Sequence, residues 1–139
     1  MQFEYEPDGE VPIASEGEIV VARKCVRDLS KALDFSITEV TRMVTAASEL
    51  ARNIQRYANR GVMYWQVVEK AGMVGLELRF VDEGPGIEDI DKAMQEGYSS
   101  SRSLGMGLPG TKRLVDEMEV DSVQGQGTTV VIRKWISRR

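Results

Sequence analysis

Residues 73–86 read MVGLELRFVDEGPG. Val74, Leu76, Leu78 and Phe80 alternate with Gly75, Glu77 and Arg79, the period-two pattern of a strand that turns one face to a core. Asp82 shares the parity of Phe80, so its carboxylate points to the same side as the apolar residues. Upstream, residues 62–69 form a second extended run, joined to the first by a tight turn at Ala71-Gly72. The pair predicts a hairpin whose second strand ends in a carboxylate and then two glycines, Gly84 and Gly86.

Further upstream, Ser36 with Glu39 is a capping box. It opens a long helix whose stripe runs Ile37, Val40, Val44, Ala47, Leu50, Ile54 and Tyr57, with Gly61 as the expected stop. Ser15 with Glu18 opens an earlier amphipathic helix carrying Ile19, Ala22, Val26, Leu29 and Leu33. Residues 2–6 and 11–14 read as short extended pieces. Downstream, residues 83–107 are rich in glycine and serine, with a helical candidate over about 87–96. Pro109 opens a helix through TKRLVDEM, and EVDSV and TTVVIRKW close the chain as a strand pair around Gly125-Gln126-Gly127. Helices and strands are segregated. The fold class is therefore α+β: a two-layer α/β sandwich with a mostly antiparallel, mixed sheet covered on one face by helices.

At 139 residues without repeat or linker, the chain predicts one domain over 1–139. A net charge of −4 argues against a sequence-independent grip on nucleic acid or an anionic membrane. No run approaches a membrane span, and the acidic N-terminus is the opposite of a signal peptide. The single cysteine, Cys25, fits a reducing cytoplasm and reads as a buried residue of the first helix. The methionines are scattered, as core filling would have them. The basic end (Arg133, Lys134, Arg138, Arg139) reads as solvated terminal charge, with an acidic N-terminal strand or a docking partner as alternatives. Histidine is absent, which excludes imidazole bases, Ser-His-Asp triads and a phosphohistidine carried by this chain.

Three clusters carry the remaining chemistry. Glu49 and Asn53 lie four apart on one helix face at the edge of the apolar stripe. A carboxylate there can take a proton and an amide oxygen can hold magnesium, although such a pair alone also reads as a solvated face. Asp82 with Gly84 and Gly86 can accept a bond from an exocyclic amine while backbone approaches the ligand, or be an ordinary turn. Gly105-Met106-Gly107-Leu108-Pro109-Gly110 runs into a helix and offers free N–H groups to phosphate. A polar loop precedes it where the dinucleotide-binding fingerprint needs a strand, so that reading fails. The long polar stretch before it reads either as a lid over a ligand, over about 87–107, or as a plain loop.

In order along the chain, these clusters resemble the ATP-binding fold shared by DNA gyrase, Hsp90, histidine kinases and MutL (the Bergerat fold). Glu49-x-x-x-Asn53 resembles its N box, Asp82-x-Gly84-x-Gly86, Gly105-x-Gly107-Leu108 and Gly125-x-Gly127-Thr128 its glycine boxes. SELARNIQRYA, DEGPGI, DKAMQEGYSSSRSLGMGLPGTKRLVDE and GQGTTVVIRKW resemble, more narrowly, the RsbT-type switch serine/threonine kinases of bacterial stress signalling and the related anti-sigma-factor kinases.

The resemblance implies a left-handed βαβ-type pocket, binding of ATP with Mg2+, and transfer of the γ-phosphate to Ser or Thr of STAS-domain partners. It further implies that those partners, assembled in a stressosome, sequester the kinase, and that its release activates a PP2C-type phosphatase or another output protein. By the same resemblance, Asn53 holds magnesium, Asp82 binds the adenine amine, and Thr128 helps order that carboxylate or its water. Gly84, Gly86, Gly105, Gly107, Leu108 and Gly110 shape the nucleotide and phosphate cradle, and Glu49 is the base or orients the acceptor hydroxyl. Arg102 and Lys112 are the nearest basic side chains to the expected phosphates, without assigned roles. The alternatives are an anti-sigma-factor kinase, an ATP-dependent binding module that acts by contact, or a bare ATPase.

Overall fold

The computed structural model describes residues 6–87, 94 and 108–137. Eight elements follow in order: β1 (Gly9–Ile13), α1 (Glu16–Ala32), α2 (Ile37–Ala58), β2 (Gly61–Lys70), β3 (Met73–Asp82), α3 (Leu108–Leu114), β4 (Glu117–Val123) and β5 (Gly127–Ser137). The strands form one sheet in the order β1-β2-β3-β5-β4, and every described pairing is antiparallel rather than mixed. Because β3 and β4 each run antiparallel to β5, they are parallel to one another, with β5 inserted between them. The connection from β3 through α3 to β4 is thus a βαβ unit. Residues 1–5, the helical candidate and most of the expected lid lie outside the described residues.

The hairpin registers as expected, with Met63 opposite Phe80 and Trp65 opposite Leu78. Ala71 and Gly72 both take positive φ, 52° and 81°, the backbone that suits a two-residue hairpin turn. Leu76, Leu78, Phe80, Met63 and Ile132 are all buried and meet Met43, Ala47, Leu50 and Ile54 of α2 in one core. Each large side chain so buried contributes about 1.5–3 kcal/mol. α2 packs across β1, β2, β3 and β5 and against α1 and α3, whereas α1 covers β1 and the flank of α2.

Both caps form. Ser36 and Glu39 make the full reciprocal box. Ser15 accepts from the Glu18 N–H, but the Glu18 carboxylate reaches back to Ala14 rather than to Ser15. Three expectations need correction. Ile37 is exposed, since it opens α2 ahead of its buried stretch, which begins at Met43. The stop of α2 is Asn59, at φ 71°, and not Gly61, which begins β2 pressed against the Val81 carbonyl. The helix after Pro109 ends at Leu114, and Glu117–Met118 belong to β4 opposite Arg133 and Ile132. There Lys134 Nζ lies 3.5 Å from the Leu114 carbonyl and 3.8 Å from Asp116, a cation at the helix end.

Arg133 and Lys134 are accordingly not solvated terminal charge. Lys134 is buried on the helix side. On the open face, Arg133 bonds buried Glu77 (Nε–Oε2 2.8 Å), Glu117 (3.0 Å) and Glu119 (2.5 Å), joining β3, β4 and β5. Burial alone would lower the Arg133 guanidinium, but its bonds to Glu119 and Glu77 outweigh this and hold it above its ordinary value. Cys25 is half-buried, and burial pushes its thiol up, as an unreactive core-side cysteine requires. Among the described residues no helix is long and apolar enough to cross a membrane.

Candidate functional site

Between the C-terminal half of α2 and the ends of β3 and β5 lies a narrow, partly open cleft of about 50 Å³, lined mainly by apolar side chains with a few polar groups. Leu50, Asn53, Ile54, Tyr57 and Ala58 line it from α2, the i, i+3, i+4, i+7, i+8 face of one helix. Phe80 and Asp82 come from β3, Pro85, Gly86 and Ile87 from the following loop. Leu108 opens α3, and Thr128 and Val130 close the far wall from β5.

Asp82 is the polar centre of this apolar cleft. Its Oδ1 accepts from the Gly84 N–H (2.9 Å) and from the Thr128 N–H (3.3 Å), and Oδ2 takes neither of these bonds. Desolvation pushes the carboxyl up from its ordinary value, and the Gly84 and Thr128 amides pull it partly back. The result is a fixed acceptor in a largely apolar, half-buried site, suited to an N–H donor of a ligand.

The glycines are steric requirements of this arrangement. A Cβ on Gly84 would stand 2.6 Å from Ala58 Cβ, and one on Gly86, at φ 77°, 2.5 Å from the Val123 carbonyl oxygen. Gly127, at φ 132°, passes so close to the Asp82 carbonyl that no side chain fits. Gly110, by contrast, lies in the first turn of α3, where a Cβ would meet nothing nearer than the Arg113 guanidinium of the same helix at 3.9 Å, and it does not line the cleft.

The structure brings together Asn53, Asp82, Gly86, Leu108 and Thr128 around one cleft, with Gly84 immediately behind Asp82. Glu49 is exposed, one turn before Asn53, and is not among the lining residues. Gly105, Gly107 and Arg102 lie outside the described residues, and Lys112 is exposed on α3. The sequence reading missed the apolar walls, Ile54, Tyr57, Phe80 and Val130, although the α2 periodicity marks the first two. It also missed Ser122, whose hydroxyl faces Thr128 across the β4–β5 hairpin.

Residues 13–134 match the family model described as the histidine kinase-like ATPase domain, and the chain belongs to that family. A 46% identical relative, over 91% of this chain and 95% of its own length, is the serine/threonine-protein kinase RsbT of Bacillus subtilis. Within the family, therefore, the chain belongs with the RsbT-type serine/threonine-protein kinases, and it is an enzyme of that kind. Anti-sigma F factors are also similar, for example that of Caldanaerobacter subterraneus (35% identity, 84% of this chain and 85% of that one). That of Geobacillus thermodenitrificans is 36% identical over 84% of each chain. Among solved structures, the catalytic domain of the histidine kinase ThkA, in a nucleotide-free form, shares the fold with a TM-score of 0.51. It covers 91% of this chain and 95% of that domain at 10% identity. ATP is the ligand this family membership implies.

Proposed function

We propose that the chain is a single domain that binds ATP with magnesium in the cleft and passes the γ-phosphate to Ser or Thr of a STAS-domain protein. The setting is a cytoplasmic partner switch of bacterial stress signalling, in which the phosphorylated assembly releases the kinase to activate a PP2C-type phosphatase or another output protein. The observation that carries the reading is Asp82, a carboxylate clamped by two backbone N–H groups in the floor of an apolar cleft. Such a group accepts the adenine amine, while Leu50, Ile54 and Val130 supply apolar surface for the flat base.

The donor set suits magnesium held chiefly by phosphate and water. Asn53 contributes one amide at the cleft, and among the described residues no group of three carboxylate, histidine or cysteine ligands could hold a cation. Magnesium needs no such cage, since it commonly keeps its waters and shares the substrate's phosphates. Gly105, Gly107, Leu108 and Gly110 fall to the phosphate cradle in this proposal. In the transfer, the acceptor hydroxyl oxygen bonds to the γ-phosphorus as the bond to the ADP oxygen breaks, and Glu49 takes or orients the hydroxyl proton. The transition state is loose, so positioning contributes more than proton removal.

The test is transfer of labelled γ-phosphate from Mg·ATP to a co-expressed STAS partner, with Glu49→Ala and Asn53→Ala alongside. Label on a partner Ser or Thr, lost in both variants, is the expected result. Firm co-elution without label would favour a second reading, a contact-driven regulator, which the similarity to anti-sigma F factors supports.

A further inference from the structure

Ser122 is half-buried near the end of β4, directly opposite Thr128 in the hairpin register. Its hydroxyl makes three short contacts. It accepts from the Ile87 N–H at 2.7 Å, lies 3.1 Å from the Gly127 carbonyl oxygen, and lies 2.8 Å from Thr128 Oγ1. Ile87 and Thr128 both line the cleft, as Asp82 does. The same loop and hairpin meet again where the Gly125 N–H donates to the Pro85 carbonyl at 2.7 Å.

With all three contacts made at once, counting protons sets the direction of these bonds, which the Ser122–Thr128 distance alone leaves open. A serine hydroxyl has one hydrogen and two acceptor positions. The Gly127 carbonyl can only accept, so the Ser122 hydrogen points to it. The Ile87 N–H fills one acceptor position, and the bond with Thr128 must then be donated by Thr128 into the other. All three of Ser122's hydrogen-bonding positions are thereby used. Thr128 has spent its only hydrogen on Ser122 and offers the cleft lone pairs alone.

We propose that Ser122 is a positioning residue that determines base specificity, because its hydroxyl holds Thr128 as a hydrogen-bond acceptor beside Asp82. Two acceptors side by side favour a base that presents an amine, directly or through water, as adenine does. They disfavour one that presents a carbonyl oxygen there, as guanine does, since acceptor would face acceptor. This rests on reading the cleft as an ATP site. Without Ser122, the Thr128 hydroxyl is free to turn its hydrogen toward the ligand, and that part of the discrimination disappears.

The experiment is calorimetric titration of the full chain with Mg·ATP and Mg·GTP, for wild type, Ser122→Ala, Ser122→Thr and Thr128→Val, with thermal melts of each. Wild type should prefer ATP. Ser122→Ala should narrow the ATP-to-GTP affinity ratio by about tenfold, the scale of one neutral hydrogen bond with its neighbour left unpaired. Ser122→Thr, which restores the hydroxyl on a strand-compatible residue, should return the ratio toward wild type. Thr128→Val keeps Ser122 in place and should narrow the ratio as well, which holds the test open should Ser122→Ala not fold.

A merely structural clamp predicts a different pattern: a lower melting temperature and equal losses for both nucleotides. That result overturns the role given to Ser122 while leaving the ATP site standing. A Thr128→Val variant with the wild-type ratio does the same. Wild type that binds neither nucleotide overturns the ATP reading and this inference together.

Discussion

Replacing Asp82 by asparagine separates what this carboxylate does for a ligand from what it does to the fold. The asparagine Oδ1 can still accept from Gly84 and Thr128, so the loop and hairpin stay joined. Its amide nitrogen then replaces Oδ2, and a donor faces the donor of the adenine amine. Loss of a hydrogen bond to a charged group costs about 1.5–3 kcal/mol, which is roughly a 10- to 150-fold weaker affinity for ATP. Stability should move the other way. Burial raises the Asp82 pKa above its ordinary 3.8, so ionisation is harder in the folded than in the unfolded chain. Stability is therefore lost as pH rises from 3.8 through the raised folded value, and stays reduced above it. Asparagine has no such term. The ligand-free variant should melt above wild type at pH 7, with the difference shrinking as pH falls through that window. Calorimetric titration with Mg·ATP and thermal melts between about pH 3.5 and 8 measure both. A variant that binds ATP within about threefold of wild type would refute the amine-acceptor role. A melting difference that does not change with pH would refute the desolvation argument.

The same geometry gives further expectations. Gly84→Ala should cost about 1–3 kcal/mol by overpacking against Ala58, and Ala58→Gly in the same chain should recover part of it, read by urea unfolding. Arg133→Met leaves Glu77 buried without its strongest partner and should cost roughly 3 kcal/mol, tempered by Arg79, whereas Glu119→Gln at the exposed end should cost under about 1 kcal/mol. Ala71→Asn places a residue that tolerates positive φ at the first turn position, and should raise stability by about 0.5–1 kcal/mol in the same assay.

What the sequence disclosed follows from how local each signal is. The β2–β3 hairpin and α2 are written in alternation, a turn dipeptide and a capping box, all within a few residues of the structure they specify. The Asp82 side chain could be placed because parity alone assigns a strand residue to a face. The end of α3 could not, since VDEM suits a helix as well as a strand. It is settled by pairing with β5, where Asp116 also accepts from the Trp135 N–H at 2.7 Å. Arg133 looks like terminal charge until the register sets it opposite Glu77 and Glu117. Ser122 is one serine among many until the same register sets it opposite Thr128. The non-local residues of the site are those that sequence periodicity does not reach.

The position of Glu49 bears on the kind of acceptor proposed. A group that assists attack by water is best enclosed, because a closed site keeps out competing solvent and strengthens its field. A group that assists attack by another protein's hydroxyl has to be reached by a folded surface. Glu49 is exposed, about 6 Å along the helix axis from Asn53, and does not line the cleft. Asn53 and Asp82, which a nucleotide alone would meet, are the ones drawn into the cleft. In the reaction proposed above, one substrate enters the pocket and the other is a folded protein, which needs an exposed group such as Glu49. Glu49→Gln should accordingly leave Mg·ATP affinity close to wild type while lowering phosphate transfer to the partner by at least about tenfold, the lower range for general-base loss. Equal loss in both measurements would place Glu49 in the nucleotide site and remove the reason to expect a protein acceptor from its exposure.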